Sequence, residues 1–398
     1  MTFLRLDEEV TTVGLVTGGH FLSHFYLLTF PPLFPLLRAE LSLTNTELGV
    51  IVAVLSAAMV LQVFVGEVVD RVGAKRVFVA GIVLTALGVF FAGMAPSYLA
   101  LLAFAGLSGL GQSAFHPAGY PLLETVSDPD RVGKNFSIHT FGGYVGFAVV
   151  PLVVGTLGFT YGWRTALLAV GSIGLVYAVV VAFALSPVYR TNMNGDDADS
   201  EASSDRQPTN VREVFLRPVI LVMAAFFILV TMASIGIQSF TTILAIDGFE
   251  LTETTGNTAL SVFFAGTALC VLVGGVLADR YEPTGVILIA ATVSALAMFA
   301  LVADILSITQ TTFIALFALS GGAYGLTFAS RDRLVSTYAA AQSTGRSFGF
   351  VFTVSALGQL ISPVLLGAVI DFSVVTNAFV LVGAFFLLSG LVVLVLRR

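Results

Sequence analysis

The fold of this chain is decided by GEVVDRVGAKRV, residues 66–77, which places charged side chains and two glycines between two long apolar stretches. A degenerate copy, GGVLADRYEPTG, occupies residues 274–285, and its Asp-Arg pair follows the first pair by 209 residues. Because glycine adopts conformations that other residues avoid, Gly73 favours a sharp turn and Gly66 a close approach of helices. The segment predicts a polar loop between two helices, and its recurrence predicts a duplicated chain.

The remainder of the sequence is far more apolar than a soluble domain. Of its 398 residues, 57% are hydrophobic and only 11% are charged, whereas soluble domains carry about 25% charged residues. A bilayer core accommodates roughly 20 apolar residues per helix. We therefore predict an all-α membrane protein with twelve transmembrane helices, near residues 11–37, 46–69, 76–95, 98–125, 134–158, 163–186, 218–246, 255–278, 284–304, 311–330, 345–370 and 374–396.

The basic residues set the predicted orientation. With the N-terminus in the cytoplasm, only Arg38 and Arg164 of the 18 lysines and arginines fall outside, which is a strong positive-inside pattern. The acidic start MTFLRLDEEV lacks the basic region of a signal peptide, so the first helix is expected to be retained. The prediction is a multi-pass protein of the cell membrane with both termini cytoplasmic. A net charge of −6, with the acids concentrated in loops, indicates no nucleic-acid partner.

A polar stretch divides the chain into two similar parts. Residues 187–217 are rich in Asp, Ser and Asn without periodicity, which is typical of a flexible linker. The predicted division is a six-helix half at 1–186, a cytoplasmic linker at 187–217 and a second six-helix half at 218–398. Four pairs of residues share one offset of 212 residues between the fifth and eleventh helices: Phe136 and Phe348, Gly146 and Gly358, Pro151 and Pro363, and Gly155 and Gly367. Paired repeats with a site between them are common in secondary transporters.

The loop pattern G-x₃-D-R-x-G-x-K-R resembles the signature loop of the major facilitator superfamily, and YGWRTALL at residues 161–168 resembles the usual start of its sixth helix. The resemblance implies that fold and a conformational latch that stabilises the outward-facing state. From its charge and position, Arg71 can pair with an acid such as Glu124 or Asp128 at the cytoplasmic end of the fourth helix. The latch residues by resemblance are Gly66, Asp70, Arg71, Gly73, Lys75 and Arg76, and more weakly Asp279 and Arg280. An ordinary positive-inside anchor is the alternative interpretation of this loop.

Two further stretches, GLGQSAFHPAG at residues 109–119 and GHFLSHF at residues 19–25, are similar to the fosmidomycin-resistance branch of that superfamily. The branch exports drugs in exchange for protons, and the resemblance implies the same activity here. The chain departs from the branch at Ala118, where an acid commonly follows the His-Pro pair, and near His24, where the first helix commonly carries an acid.

Polar residues inside the spans are the candidate binding residues, because they are costly in lipid unless they face a cavity or a partner. Thr17, His20 and His24 share one face of the first helix, and Thr231, Ser234 and Gln238 repeat that stripe 214 residues later. By resemblance, helices one, four, seven and ten line the cavity. The predicted substrate- or proton-binding residues are His20, His24, His116, Gln238 and Arg331, and the candidate cavity-lining residues are Thr17, Gln112, His139, Thr231 and Ser234.

Counting residues along each helix predicts that His116, His139 and Arg331 surround the cytoplasmic vestibule. Two alternatives stay open. The histidines can be packing residues that bond to a neighbouring carbonyl, and Arg331 can be an interfacial anchor that pairs with Asp332. Prolines interrupt helix hydrogen bonding, so the predicted hinges or gates are Pro31, Pro32, Pro117, Pro151 and Pro363, with static bends as the alternative.

These features predict a secondary active transporter that works by alternating access and exports a small organic compound in exchange for protons. No phosphate loop, no Cys/His group with metal-binding spacing and no catalytic triad is evident, so we expect neither an enzyme nor a metal or cofactor. The expected partners are a small-molecule substrate, protons and the bilayer, with the protein acting as a monomer. The alternatives are an uptake symporter for an organic anion, which Arg331 would favour, and a non-transporting membrane sensor.

Overall fold

The computed structural model describes residues 2–185, 218–303, 305–338 and 344–397, and within these ranges all regular structure is helical. The prediction of an all-α protein is therefore confirmed. The N-terminal group contains α1 (Thr2–Leu27), α2 (Phe34–Leu41), α3 (Asn45–Met59), α4 (Gln62–Val72), α5 (Ala74–Ala92), α6 (Tyr98–Gln112), α7 (Phe115–Val126), α8 (Val132–Tyr161) and α9 (Trp163–Ala184). The C-terminal group contains α10 (Pro218–Ile243), α11 (Glu253–Arg280), α12 (Pro283–Val302), α13 (Gln310–Tyr338), α14 (Thr344–Phe372) and α15 (Val375–Val392).

Ten helical segments in the described residues are long and apolar enough to cross a membrane. An eleventh consists of α3 and α4, which are bent by 50° at a break between Met59 and Phe64. Helix α1 would complete the predicted twelve, but its composition does not place it among these ten or eleven candidate spans. The predicted linker at 187–217 lies outside the described residues, so the division at 186 and 218 stays a prediction.

Side chains that face away from the core identify the lipid-facing surface. Phe183 is 87% exposed, and Val176 on the same helix, Leu269 and Leu272 on α11 and Ile289 on α12 are also exposed. Exposing an apolar side chain of this size to water would cost about 1.5–3 kcal/mol relative to burying it. Helices with apolar residues on all faces are typical of membrane spans, so the exposed apolar residues are in contact with lipid.

Helix ends follow local capping rules. Thr44 and Glu47 form a reciprocal capping box at the start of α3, an arrangement worth about 1 kcal/mol. Gly73 has φ +90° between α4 and α5, and Gly162 has φ +88° between α8 and α9. This region favours glycine, so both tight connections depend on that residue type. The expected sharp turn at Gly73 is present.

The two groups use equivalent glycines for equivalent contacts. Gly146 on α8 packs against the backbone of Phe21 on α1, and Gly358 on α14 packs against the backbone of Ile228 on α10. Further along the same helices, Gly155 contacts Asn257 on α11, and Gly367 contacts the backbone of Asn45 on α3. These two glycine pairs of the sequence repeat therefore occupy corresponding positions, and the third pair, Pro151 and Pro363, lies inside the same two helices. The remaining member, Phe348, lies outside the residues whose side chains are described.

The end of the molecule opposite the N-terminus, which we call the distal end, is closed by contacts between the two groups. Arg38 forms a bidentate ion pair with Asp247, at 2.6 and 3.0 Å. The Asp371 carboxylate accepts hydrogen bonds from the backbone N–H groups of Asn45 and Thr46, both at 2.8 Å, and from both of their side chains. Residues that are more than 200 positions apart in sequence are therefore tied together at this end.

Within the N-terminal group, the distal end carries a second ion pair. Arg164 bonds to Glu40, and the indole of Trp163 donates to the same carboxylate at 2.7 Å. Burial alone would raise the pKa of Glu40, but the hydrogen bonds from Trp163 and Arg164 lower it below its usual value. The two basic residues predicted to lie outside, Arg38 and Arg164, are thus both at the distal end and both paired with acids.

We expect Gly146→Ala to destabilise the N-terminal group, because the added methyl would meet the Phe21 carbonyl and the Phe25 nitrogen, the latter at 3.2 Å. Overpacking of this kind costs about 1–3 kcal/mol. The measurement is the thermal unfolding midpoint of purified protein in detergent. Gly133→Ala on the same helix is the matched control, since its methyl would meet nothing within 4 Å. Equal midpoints for the two variants would contradict the close approach of α1 and α8.

Candidate functional site

Four histidines from three helices form one cluster inside the N-terminal group. The ring centroid of His20 lies 4.3 Å from that of His24, 5.3 Å from that of His116 and 4.0 Å from that of His139. His20 and His139 are stacked with an interplanar angle of 8°. The sequence predicted that His116 and His139 surround the cytoplasmic vestibule and that His20, His24 and His116 bind substrate or protons, and the structure brings all four histidines together.

A break in the fourth predicted span positions His116. Helix α6 ends at Gln112 and α7 begins at Phe115, so the chain turns at residues 113–114. Pro117 then falls in the first turn of α7, where a backbone N–H has no intrahelical partner, and its missing N–H costs little. The His-Pro pair therefore starts a helix, and this start orients His116 toward His20.

Gly143 on α8 provides the space for two of the rings. A side chain at this position would lie 2.7 Å from a ring carbon of His20 and 3.0 Å from one of His24. Sequence reasoning did not single out this residue. Its signal is weak, since it is one of 39 glycines in the chain, and only the approach of α1 to α8 gives it a role.

The cluster contains several buried polar atoms without a hydrogen-bond partner in the described residues. They are Thr17 Oγ1, His20 Nε2, His24 Nδ1, His116 Nδ1 and His139 Nδ1. Leaving a buried polar group unpaired costs about 1–3 kcal/mol, so such a concentration makes this cluster the candidate binding site. His20 Nδ1, by contrast, bonds to the His139 carbonyl oxygen at 2.8 Å.

Aromatic rings connect the histidine cluster to the C-terminal group. His24 lies 4.3 Å from Phe147, which stacks on Phe264 of α11 at 4.8 Å. Tyr144 lies 6.2 Å from His24 and 5.8 Å from Phe328 of α13. These contacts place the cluster beside the interface of the two groups, where the sequence expected a cavity.

Arg331 occupies the opposite side of this aromatic bridge. Its guanidinium carbon lies 3.9 Å from the ring centre of Phe328 and 5.1 Å from that of Phe227. Its Nε donates to Asp332 at 3.3 Å, and the Arg331 side chain is 15% exposed while that of Asp332 is 49% exposed. The arginine is therefore largely buried against aromatic faces, which differs from a solvated interfacial anchor, although the expected pairing with Asp332 is present.

Gln112 was predicted to line the cavity, but its side chain is buried between α6 and α1. Its carbonyl oxygen accepts from the Ser23 hydroxyl at 2.6 Å, and its amide nitrogen donates to the Ser23 carbonyl at 2.8 Å. Gln112 is only 2% exposed. Both ends of this side chain are thus used to hold α6 against α1.

The stripe on α10 is also engaged in packing. The Thr231 hydroxyl bonds to that of Ser355 at 2.7 Å, and the Ser234 hydroxyl donates to the Thr231 carbonyl. Ser234 is buried, whereas Gln238 is half-buried. Of this stripe, only Gln238 keeps a side chain that is accessible for a ligand without breaking one of these bonds.

The predicted latch loop does not join the two groups in this conformation. Arg71 pairs with Glu67 on its own helix, rather than with Glu124 or Asp128, and Lys75 donates to the Leu185 carbonyl. Asp70, Arg76, Asp279 and Arg280 are exposed or lie at the surface of helix ends. Gly66 has open space beside it, so the expected close helix approach at this position is wrong.

The predicted hinges fall in different settings. Pro31 and Pro32 form a short 3₁₀ turn between α1 and α2, so they separate two helices. Pro151 and Pro363 lie inside α8 and α14. The Pro363 carbonyl is in contact with Gly49 of α3, which places it at the interface of the two groups.

The histidine cluster also bears on the expectation that no metal site exists. One ligand atom from each of His20, His24 and His116 lies within 4.8 Å of the others. Sequence spacing did not reveal this group because the third histidine comes from a helix about ninety residues further along the chain.

Comparison with known proteins supports the same architecture. The family model described as Major Facilitator Superfamily matches residues 16–256 and 227–398. A solved structure of the nucleoside transporter NupG has a TM-score of 0.80 at 14% identity, covering 98% of this chain and 100% of that one. An inward-facing bacterial homologue of the lysosomal transporter Spinster has a TM-score of 0.78 at 14% identity, covering 100% and 97%. At this identity, the two structures establish the fold alone.

Two bacterial proteins are similar over most of their length. The uncharacterized MFS-type transporter YfnC of Bacillus subtilis is 26% identical over 355 residues, which are 88% of this chain and 84% of that protein. The fosmidomycin resistance protein of Escherichia coli is 26% identical over 357 residues, with the same coverage. The membrane sensor protein UhpC of Salmonella typhimurium is 22% identical, covering 66% of this chain and 62% of that protein.

We expect Gln112→Leu to lower the thermal unfolding midpoint more than Ser23→Ala does. Leucine leaves the buried Ser23 hydroxyl and carbonyl without their partner, a loss of about 1–3 kcal/mol. The double variant is expected to cost less than the two single losses combined, because both remove the same bond. Additive losses would show that the Ser23–Gln112 contact does not contribute to stability.

Proposed function

This chain belongs to the major facilitator superfamily, and we propose that it is a secondary active transporter that exports a small organic compound in exchange for protons. The similar proteins are named as an MFS-type transporter and a resistance protein rather than as enzymes. The protein works by alternating access, with the groups 1–186 and 218–398 rocking about a central site and joined by the linker at 187–217. The carrying observation is the cluster of largely unpartnered polar atoms beside the interface of the two groups. At the distal end, the two groups are joined by polar contacts such as those of Arg38 and Asp371.

The substrate site is proposed to lie between the histidine cluster and Arg331. His20, His24 and His116 offer neutral donors and acceptors on one side, with His139 and Thr17 beside them. Arg331 offers a guanidinium on the other side, beyond Phe328 and Tyr144, and Gln238 adds an amide. Arginine binds carboxylates and phosphate-like groups with paired hydrogen bonds. A compound with an anionic group and several hydrogen-bonding groups fits this arrangement.

The closed distal end corresponds to an inward-facing state when the distal end faces the outside of the cell. The distal end is closed by Arg38, Asp247 and Asp371. Asp70 is exposed and Arg71 pairs with Glu67 on its own helix, so forming the latch in the other state would require Arg71 to exchange this partner. The positive-inside pattern supports this orientation, with both termini cytoplasmic in a cell-membrane protein that acts as a monomer. Lys75 and Arg76 would complete the latch, with Asp279 and Arg280 as its weaker counterpart. Pro31, Pro32, Pro117, Pro151 and Pro363 are the proposed flexible positions.

Proton coupling is proposed to act through the distal carboxylates. Asp371 accepts four hydrogen bonds, which only the ionised form can accept in full. Protonation from outside would weaken the closure. The charged groups around it are Arg38, which also bonds to Asn45, together with Asp247 and Glu47. An acidic exterior would thus weaken the distal closure and favour opening to that side.

Two other functions remain candidates on specific observations. Uptake of an organic anion is favoured by the buried guanidinium of Arg331. A sensor without transport is favoured by the similarity to a protein named as a membrane sensor.

The test is flux in inside-out membrane vesicles, where the cytoplasmic side of the protein faces the bath. Fosmidomycin is the first compound because a similar protein is named for resistance to it, followed by a panel of organic anions. Export predicts that an acidic lumen drives the compound into the vesicles and that a protonophore abolishes the effect. Vesicles lacking the protein are the control. Movement in the opposite direction under the same gradient would support uptake, and no flux of any compound would support the sensor.

We expect Asp371→Asn to shift the protein toward an open distal end, because the amide keeps the shape but loses charge and acceptor capacity. The measurement is the distance distribution between spin labels at Tyr161 and Ile305, both exposed near the distal end, in a Cys270→Ser background. A longer-distance population should grow at neutral pH and become independent of acidification. Glu47→Gln, which affects the capping box within one group, is the control. A distribution that stays unchanged and still responds to acid would contradict a role for Asp371.

A further inference from the structure

We propose that His20, His24 and His116 form a binding site for one divalent first-row transition-metal ion, with Zn²⁺ as the reference ion. The site lies wholly within the N-terminal group, and its three ligand atoms lie within 4.8 Å of one another. A tetrahedral Zn²⁺ with Zn–N bonds of about 2.0–2.1 Å holds its ligand nitrogens about 3.4 Å apart. Small rotations of the imidazole rings suffice to close this difference.

The hydrogen bonding of His20 fixes which of its nitrogens is the ligand. Its Nδ1 lies 2.8 Å from the His139 carbonyl oxygen, which can only accept, so Nδ1 carries the proton. The lone pair is then on Nε2, which is buried without a partner. Metal-binding histidines characteristically donate their second nitrogen to a carbonyl or carboxylate in this way. His20 is thus already oriented as a ligand.

The other two ligands also have nitrogens free of competing bonds. His24 Nδ1 and His116 Nδ1 are buried and unpartnered in the described residues. Tyr120 stacks on His116 at 5.4 Å, and Phe147 lies 4.3 Å from His24. These rings restrict the orientation of both imidazoles, so the group needs little reorganisation to bind an ion.

The ligand set determines which ions are suitable. Imidazole nitrogens suit zinc, copper, nickel and cobalt, whereas magnesium and calcium prefer oxygen ligands. Three neutral ligands do not offset the charge of the ion, and they leave at least one of its coordination positions open. His24 and His116 are only half-buried, so an anion or water from the cavity can occupy that position. The inference concerns metal binding itself and goes beyond the proposed transport.

The test is a Co²⁺ titration of the purified full-length protein in detergent without any transport substrate. One equivalent should bind and give visible ligand-field bands, Zn²⁺ should displace it, and Mg²⁺ at the same concentration should not. His20→Gln, His24→Gln and His116→Gln should each weaken binding by at least about tenfold, the order of effect seen even for outer-shell changes. Cys270→Ser should leave the spectrum unchanged, since no thiolate belongs to the site.

Two further variants separate this site from a nonspecific histidine effect. His139→Gln removes a ring outside the trio but keeps the carbonyl that orients His20, so binding should persist. Gly143→Ala keeps all three ligands but displaces the rings of His20 and His24, so binding should weaken, while Gly133→Ala should not change it. Each variant is checked for a native-like unfolding midpoint. Absence of saturable binding, or equal loss in His139→Gln, would overturn the assignment without affecting the flux test.

Discussion

The structure depends on one constraint of the lipid environment: helices that gain little from leaving lipid for one another must pack through close contact and hydrogen bonds. Glycines on α8 and α14 let neighbouring backbones approach closely, and the two groups repeat this solution at corresponding positions. Polar bonds such as the Ser23–Gln112 pair supplement this packing. Because α1 and α8 come so close together, the histidines on them are forced into one cluster.

That cluster is unusual in being polar without opposite charges around it. Four imidazoles lie together, and most of their free nitrogens have no partner in the described residues. Neutral imidazoles can accept or donate, so the cluster can serve different ligands with little rearrangement. A single arginine is held apart from it by aromatic rings on α8 and α13. The proposed site would therefore combine a histidine wall and a cationic wall, an arrangement that would suit a compound with two chemically different ends.

Much of the fold could be predicted from sequence because composition and the repeated loop constrain it strongly. The depth of a side chain in the membrane could be predicted by counting residues along its helix, but the direction in which it points around the helix axis could not. The turn at residues 113–114, which sets the orientation of His116, could not be recognised, although Pro117 three residues later is consistent with a helix start. Gln112 looked like a cavity residue because its partner Ser23 is 89 positions away. Asp371 escaped notice because an acid at a helix end has no distinctive local pattern.

The Asp371 contact has a consequence for the timing of conformational change. This carboxylate receives the first two backbone N–H groups of α3, while Thr44 receives the third. Part of the N-terminal cap of α3 is thus supplied by Asp371, which belongs to the other half of the molecule. When the halves separate, two amides must find water before the helix end is satisfied again. The closed distal end therefore also satisfies the start of α3, so separation of the halves and hydration of this helix end are coupled events.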